Sequence, residues 1–208
     1  MPLNLREPLL KPVPLASLRP TQITVGFREV EEKRRAFKRK EDDKGALFLG
    51  RHMIPVLLGP KERHYVIDHH HLALALLQDG VEDILITVVA DLRHLKTDEF
   101  WVLADNRGWC HPYDAEGRRR GFDEIPTSIG KLKDDPFRSL AGELRRAGGY
   151  AKDTTPFSEF IWADFLRRRI KRKAVEEDFG RTLTRALVLA KSEAAGHLPG
   201  WFGPIGES

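Results

Sequence analysis

Apolar runs broken by polar turns give the first half of the chain the pattern of short strands alternating with helices. Apolar residues at helical spacing predict an amphipathic helix over residues 27–40 with a highly charged outer face. Two short apolar runs, 54–58 and 65–67, flank a Gly-Pro turn and predict a β-hairpin. A second helix is expected from residue 69 to about 79, and the continuous apolar run 84–89 predicts the strongest strand.

The pattern changes after residue 105. Six glycine and proline residues punctuate the stretch 105–135, which indicates a long irregular region of the kind that is usually functional or mobile. Apolar residues then recur at helical spacing, so the remainder is expected to be mostly helical. A long helix is expected to begin at the Thr155-Pro156 pair and to face inward with Phe157, Phe160, Ile161, Phe165 and Ile170. A single last helix is expected to carry the apolar residues Val175, Phe179, Leu183, Leu187 and Ala190. We therefore predict an α+β fold with a core domain, 1–105, and a second region, 106–208, whose irregular segment and helical extension pack on the core.

Composition narrows the class of protein without fixing its ligand. The 208 residues are 41% hydrophobic and carry a net charge of +4, which permits a nucleotide, a phosphorylated metabolite or nucleic acid and requires none of them. Cys110 is the single cysteine, so an internal disulfide and a zinc thiolate cluster are excluded. The absence of a leader-like segment and of a long apolar run predicts a cytoplasmic protein that does not interact with membranes. The sequence does not indicate an oligomeric state.

The segment that joins the end of the hairpin to the second helix has the strongest features of a functional site. Asp68 and three consecutive histidines, His69, His70 and His71, lie at the predicted start of that helix. Helix N-terminal amides and the helix dipole favour an anion there, and a histidine can act as an acid or base. Two other interpretations stay open: a transition-metal site, limited because consecutive helical side chains point about 100° apart, and a purely structural cap.

The order of motifs resembles the ParB/sulfiredoxin-fold superfamily and, in detail, the ParB-like nuclease family. The segments that carry this resemblance are Arg-Pro-Thr-Gln at 19–22, Ile-Pro-Val at 54–56, Val-Ile-Asp-His-His-His-Leu-Ala-Leu-Ala-Leu at 66–76, Glu-Phe-Trp at 99–101, Asp-Asp-Pro-Phe-Arg-Ser-Leu-Ala at 134–141 and Phe-Ser-Glu-Phe-Ile-Trp-Ala-Asp at 157–164. The resemblance implies a small mixed sheet with helices, and a corner that binds the phosphates of ATP, ADP or CTP.

The corner departs from the superfamily pattern at two positions. The superfamily usually has Asp-Gly-His-His-Arg, which Asp68, His70 and His71 match, whereas His69 replaces the glycine and Leu72 replaces the arginine. Loss of the arginine removes a bidentate phosphate contact, and loss of the glycine restricts close approach of the backbone. The catalytic cysteine of sulfiredoxin has no counterpart here.

The resemblance also implies roles for individual residues. A glutamate early in the first helix is the catalytic base of related serine kinases, and Glu29 lies at a comparable place. We expect a phosphotransferase or nucleotide hydrolase that acts on a small molecule and uses a nucleotide and Mg²⁺. The expected catalytic residues are Glu29, Asp68 and His70, the metal contact is Asp68, and the ligand-binding residues are Thr24, Gly26, His69, His70, His71 and Arg138.

Two alternatives to a nucleotide enzyme stay open. The basic runs Arg118–Arg120 and Arg167–Lys173 can contact nucleic-acid phosphates, as in a DNA-associated protein or nuclease. The second run lies at the end of a helix, where cations favour the dipole, and the acidic residues 176–178 partly cancel it, so nucleic acid is not the favoured partner. The other alternative is a small-molecule enzyme that has lost nucleotide binding.

Overall fold

The structure, a computed structural model, describes residues 8–41 and 53–204. Its elements form the predicted α+β fold. The chain divides into two compact units. The first comprises Met1–Val25, Glu29–Asp114 and Arg119–Lys133, and the second comprises Gly26–Arg28, Ala115–Arg118 and Asp134–Ser208.

A mixed five-stranded sheet forms the centre of the first unit. In spatial order its strands are β1 (Pro8–Pro14), β6 (Asp83–Asp91), β4 (Ile54–Gly59), β5 (Arg63–Val66) and β2 (Arg19–Pro20). Strands β4 and β5 pair antiparallel as the predicted hairpin, while β4 with β6 and β2 with β5 are parallel. Two further short strands are β3 (Thr24–Val25) and β7 (Lys133–Asp134). The apolar runs of the sequence thus become strands that are buried in the sheet.

The described part of this half of the chain contains the helices α1 (Phe27–Glu41), α2 (His70–Gln78) and α3 (Thr97–Asn106). The first two lie where the sequence predicted them. Val30 and Phe37 of α1 are buried in the same core as the apolar side of α2, as their spacing predicted. Arg34 of α1 donates two hydrogen bonds to Asp79 at the end of α2, with nitrogen–oxygen distances of 2.9 and 2.8 Å. Burial alone would raise the pKa of Asp79, but the hydrogen bonds from Arg34 hold it below its usual value.

An aromatic cluster supports α3 on the sheet. Tyr65 of β5 packs against Phe100 with ring centroids 4.5 Å apart, and Trp101 meets both rings edge-on. Phe122, from the irregular segment, stacks on Trp101 at 5.8 Å. Much of the long irregular segment therefore packs as part of the first unit rather than extending from it.

The second unit is built from four helices: α4 (Pro136–Arg146), α5 (Ser158–Arg167), α6 (Arg172–Glu177) and α7 (Phe179–Ala190). Trp162 is fully buried at its core and stacks on Tyr150. Helix α5 begins at Ser158 rather than at the expected Thr-Pro pair, because Phe157 adopts a left-handed conformation immediately before it. The last predicted helix is two helices, because the Asp178 side chain accepts a hydrogen bond from the Arg181 amide and starts α7 anew.

None of the helices in the described ranges is both long enough and apolar enough to cross a membrane.

Candidate functional site

The start of helix α2 has the backbone of an anion-binding corner. His69 precedes the helix in a left-handed conformation, with φ 65° and ψ 24°, and its amide donates to Asp68 Oδ1 at 2.6 Å. The first helical hydrogen bond runs from the Ala73 amide to the His69 carbonyl, and no side chain caps the helix. The amides of the first turn therefore have no intrahelical acceptor, and they lie beside two exposed side chains, Asp68 and His69.

His70 fixes the helix to the preceding part of the first unit. Its ring is buried, and Nε2 accepts a hydrogen bond from the Thr21 amide at 3.2 Å. Burial, together with the neighbouring His71, lowers the pKa of His70 to about 3. A buried, neutral imidazole that accepts a backbone hydrogen bond is suited to holding this turn rather than to transferring protons at neutral pH.

Glu29 and His71 come together as a carboxylate–imidazole pair. Glu29 Oε2 lies 3.3 Å from His71 Nε2, and each side chain is only about one-eighth exposed, at 12% and 13% respectively. A carboxylate at this distance orients an imidazole and stabilises its protonated form, which is the arrangement of a general base with its positioning partner. The sequence had assigned these residues separate roles, base and phosphate contact, and the structure places them side by side.

A short polar segment, Thr21–Thr24, precedes α1, and only Thr24 in it was predicted from the sequence as a ligand contact. The Thr21 hydroxyl donates to the Val66 carbonyl at 2.7 Å, and the Gln22 amide group donates to the Thr24 carbonyl at 2.7 Å. Thr24 is 1% exposed, and its hydroxyl has no hydrogen-bond partner within residues 8–41 and 53–204. Because buried polar atoms are nearly always paired, this hydroxyl fits a ligand contact. The one signal in the sequence was the polar Thr-Gln pair set between apolar residues.

Leu72 occupies the position at which the superfamily usually has an arginine. Its side chain is 5% exposed and packs in the hydrophobic core with the sheet and α1. An arginine at this position would have to bury its charge in the apolar core, which is energetically costly. Residue 72 therefore contributes to core packing in this protein and does not contact a phosphate.

Two predicted ligand residues, Gly26 and Arg138, belong to the second unit. A side chain at Gly26 would lie 2.8 Å from the Ser139 amide nitrogen, so glycine is required by this close approach. Arg138 is buried, with its guanidinium 5.3 Å from the Phe160 ring centroid and 3.8 Å from Glu159. Both residues thus have packing roles inside their own unit.

The carboxylate and imidazole side chains of the structure fit only an open site for the predicted Mg²⁺. Within residues 8–41 and 53–204, no three His, Cys, Asp or Glu side chains converge as a metal site. Magnesium, however, is commonly held by one or two carboxylates together with ligand phosphates and water. Asp68, exposed beside the helix amides, fits a cation shared with a bound phosphate and does not fit a closed protein cage.

Cys110 has the surroundings of a structural thiol. It is buried at 3% exposure, and burial together with the nearby Asp105 carboxylate raises the pKa of the thiol to about 12. The thiolate that a nucleophile needs is therefore strongly disfavoured.

The chain is similar to known proteins in both sequence and structure. The sequence model described as "Putative ParB-like nuclease" matches residues 11–168, which is most of the chain. The chain belongs to the ParB-like nuclease family. The chain is also similar to the crystal structure of protein Atu1540 from Agrobacterium tumefaciens, with 55% sequence identity and a TM-score of 0.88. The similarity covers 95% of this chain and 99% of Atu1540. No curated protein matches the sequence.

Proposed function

We propose that this ParB-like family member binds the phosphate groups of a nucleotide or another small molecule at the start of α2 and transfers or hydrolyses phosphate there. The observation that carries the proposal is the uncapped helix N-terminus behind the left-handed His69. Backbone amides at the start of a helix and the helix dipole stabilise the charge of a bound phosphate. A phosphotransfer enzyme also needs a base for the acceptor, and the Glu29–His71 pair lies in the same unit.

Each residue then has a distinct task. The Glu29–His71 pair accepts the proton of the attacking water or hydroxyl group, with the carboxylate stabilising the imidazolium that forms. His70 stays neutral and holds the Thr21 turn against the helix. Asp68 and the bound phosphates would hold Mg²⁺, which supplies charge neutralisation when bound. The exposed His69 imidazole offers the phosphate a hydrogen-bond donor that substitutes for the superfamily arginine, whose own position is occupied by Leu72.

Thermal denaturation with ATP, ADP and CTP, each with and without Mg²⁺, tests binding. A bound nucleotide at one hundred times its Kd should stabilise the fold by about 2.7 kcal/mol. Turnover is followed by phosphate release from the nucleotide that stabilises the fold. Glu29→Gln is expected to keep the stabilisation and to slow phosphate release at least about a hundredfold, the lower end for loss of a general base.

Glu31→Gln is the matched control, because Glu31 lies on the same helix with a half-exposed side chain and pairs with Arg34 rather than with the histidines. It should change neither binding nor turnover. The proposal fails if no nucleotide stabilises the wild-type protein, or if Glu29→Gln and Glu31→Gln release phosphate equally fast.

A second candidate is hydrolysis of nucleic-acid phosphodiesters, and the family description favours it. The same base and amides would serve that reaction. Most arginines of the basic runs, however, are engaged by carboxylates: Arg119 pairs with Asp105, and Arg120 with Asp114. Cleavage of labelled DNA by wild type but not by Glu29→Gln, with no stabilisation by free nucleotides, would favour this candidate over the first.

A further inference from the structure

The second unit contains an open cavity that the proposed function does not use. It has a volume of about 630 Å³ and lies between the loop after Tyr113, the start of α4 and the segment that joins α5 to α6. Its lining consists of Ala115, Glu116, Phe137 and the run Arg167–Arg172. Five of these side chains are cationic and only one is anionic.

Arg167 is held in place before any ligand arrives. Its Nη2 lies 2.6 Å from Asp135 Oδ2, and Asp135 is 1% exposed. The other carboxylate oxygen of Asp135 accepts a hydrogen bond from the Phe137 amide at the start of α4. The loop backbone also approaches closely, since a side chain at Gly117 would lie 2.6 Å from Arg167 Nη1. Arg167 Nη1 lies 3.5 Å from Asp164 Oδ1, and the buried Nε atom has no hydrogen-bond partner among the described residues. With five N–H groups, the guanidinium therefore has donor capacity left.

The remaining cations differ in how far they are neutralised. Arg168 pairs with Asp164 at 2.9 Å, and Arg172 pairs with Glu176 at 2.7 Å. Lys171 is exposed and makes no ion pair with any other residue in the described part of the chain. The cavity therefore keeps a small excess of positive charge rather than the strong field of a nucleic-acid surface.

Apolar groups form the rest of the wall. Phe137 and Ile170 are almost completely buried where they line the cavity. The Phe137 ring also lies 5.3 Å from the Arg167 guanidinium, so the apolar and cationic groups are adjacent. Small-molecule sites typically have volumes of about 300–1,000 Å³ and combine apolar walls with a few polar anchors.

We propose that this cavity binds a small molecule that carries one phosphate monoester next to an aromatic or other apolar group. The phosphate interacts with Arg167 and Lys171, and the apolar part lies against Phe137 and Ile170. A long polyanion is disfavoured because Glu116 lies in the wall and would repel successive phosphates. The site lies wholly in the second unit and does not depend on the proposed reaction at α2.

Isothermal titration of the full chain with phenyl phosphate at low ionic strength tests the proposal. Phenol and inorganic phosphate, titrated separately, supply the apolar and the charged part alone, and each should bind at least about tenfold more weakly than phenyl phosphate. Lys171→Gln should weaken phenyl phosphate binding about fivefold, as expected for loss of one charge contact near the surface. Because Lys171 is exposed, the fold should tolerate this change.

Lys173→Gln is the matched control. It removes the same charge two residues further on, from a lysine that pairs with Glu177 and does not line the cavity. It should leave the Kd unchanged. Glu116→Gln should tighten binding about two- to fivefold, because it removes the one carboxylate from the wall.

Several results would overturn the proposal. The first is absence of phenyl phosphate binding, and the second is equal weakening by Lys171→Gln and Lys173→Gln, which would indicate diffuse attraction. Weakening by His71→Gln but not by Lys171→Gln would assign the probe to the first unit. Tighter, steeply salt-dependent binding of a single-stranded oligonucleotide that is lost in Lys171→Gln would replace a small ligand with nucleic acid.

Discussion

The left-handed backbone at His69 gives a direct test of how the corner is built. A non-glycine residue at φ 65° costs about 1–2 kcal/mol relative to a right-handed conformation. Glycine avoids this strain but loses about 0.5–1 kcal/mol more conformational entropy on folding. The His69 side chain is exposed, so its removal sacrifices little packing. His69→Gly should therefore raise the free energy of unfolding by about 0.5–1 kcal/mol, which is the difference between these effects.

Two further substitutions at the same position make the test specific. His69→Asn should be close to neutral, because asparagine and histidine are both enriched among left-handed residues. His69→Val should lower stability by about 1 kcal/mol or more, because a β-branched side chain is poorly tolerated at positive φ. The predicted order of stability is glycine, then histidine with asparagine, then valine.

Urea unfolding followed by circular dichroism measures the order, and thermal scans should show a rise of about 1–4 °C for His69→Gly in a chain of this size. The reasoning is refuted if His69→Gly is less stable than wild type, or if His69→Val is as stable. Either result would mean that residue 69 does not adopt the left-handed conformation before α2. The proposed binding of an anion by the first amides of α2 would then lack its structural support.

Three other changes probe the remaining structure. Arg167→Met leaves the buried Asp135 carboxylate without its cation and should cost about 3 kcal/mol in urea unfolding, whereas Arg168→Met, at an exposed pair, should cost less than about 0.5 kcal/mol. Gly26→Ala brings a methyl group within 2.8 Å of a backbone nitrogen in α4 and should lower the urea midpoint by an amount equivalent to about 1–3 kcal/mol. A midpoint equal to that of wild type would show that residue 26 does not lie this close to α4. The pKa of His70 is about 3 in the folded protein and about 6.5 in the unfolded chain, so the unfolded chain takes up the proton first as the pH falls. The free energy of unfolding should therefore decrease as the pH drops from 6.5 towards 3. Urea unfolding at pH 7 and at pH 5 should show a smaller decrease for His70→Gln than for wild type.

The sequence predicted most of the elements because each leaves a local pattern. Helix α1 was expected at 27–40 and is found at Phe27–Glu41, and the hairpin of β4 and β5 was expected from its apolar runs and turn. The position of helix α5 was predicted less well, because the left-handed Phe157 delays its start. Its inward face was predicted only in part. Ile161 is 38% exposed, whereas Trp162, which was not placed on that face although it lies three residues before the buried Phe165, is fully buried.

The sequence by itself therefore determined the elements, the overall class and the position of a polar corner at the start of α2. Periodicity and turn residues record which face of each element is buried, and these are local properties. Tertiary structure alone decided the chemistry of the corner. Burial in the core lowers the pKa of His70 and keeps its ring neutral, and the amide that bonds the ring comes from Thr21, 49 residues earlier in the chain. Glu29 meets His71 only when α1 packs on α2. Protonation states and partners depend on residues distant in sequence, which no local pattern records.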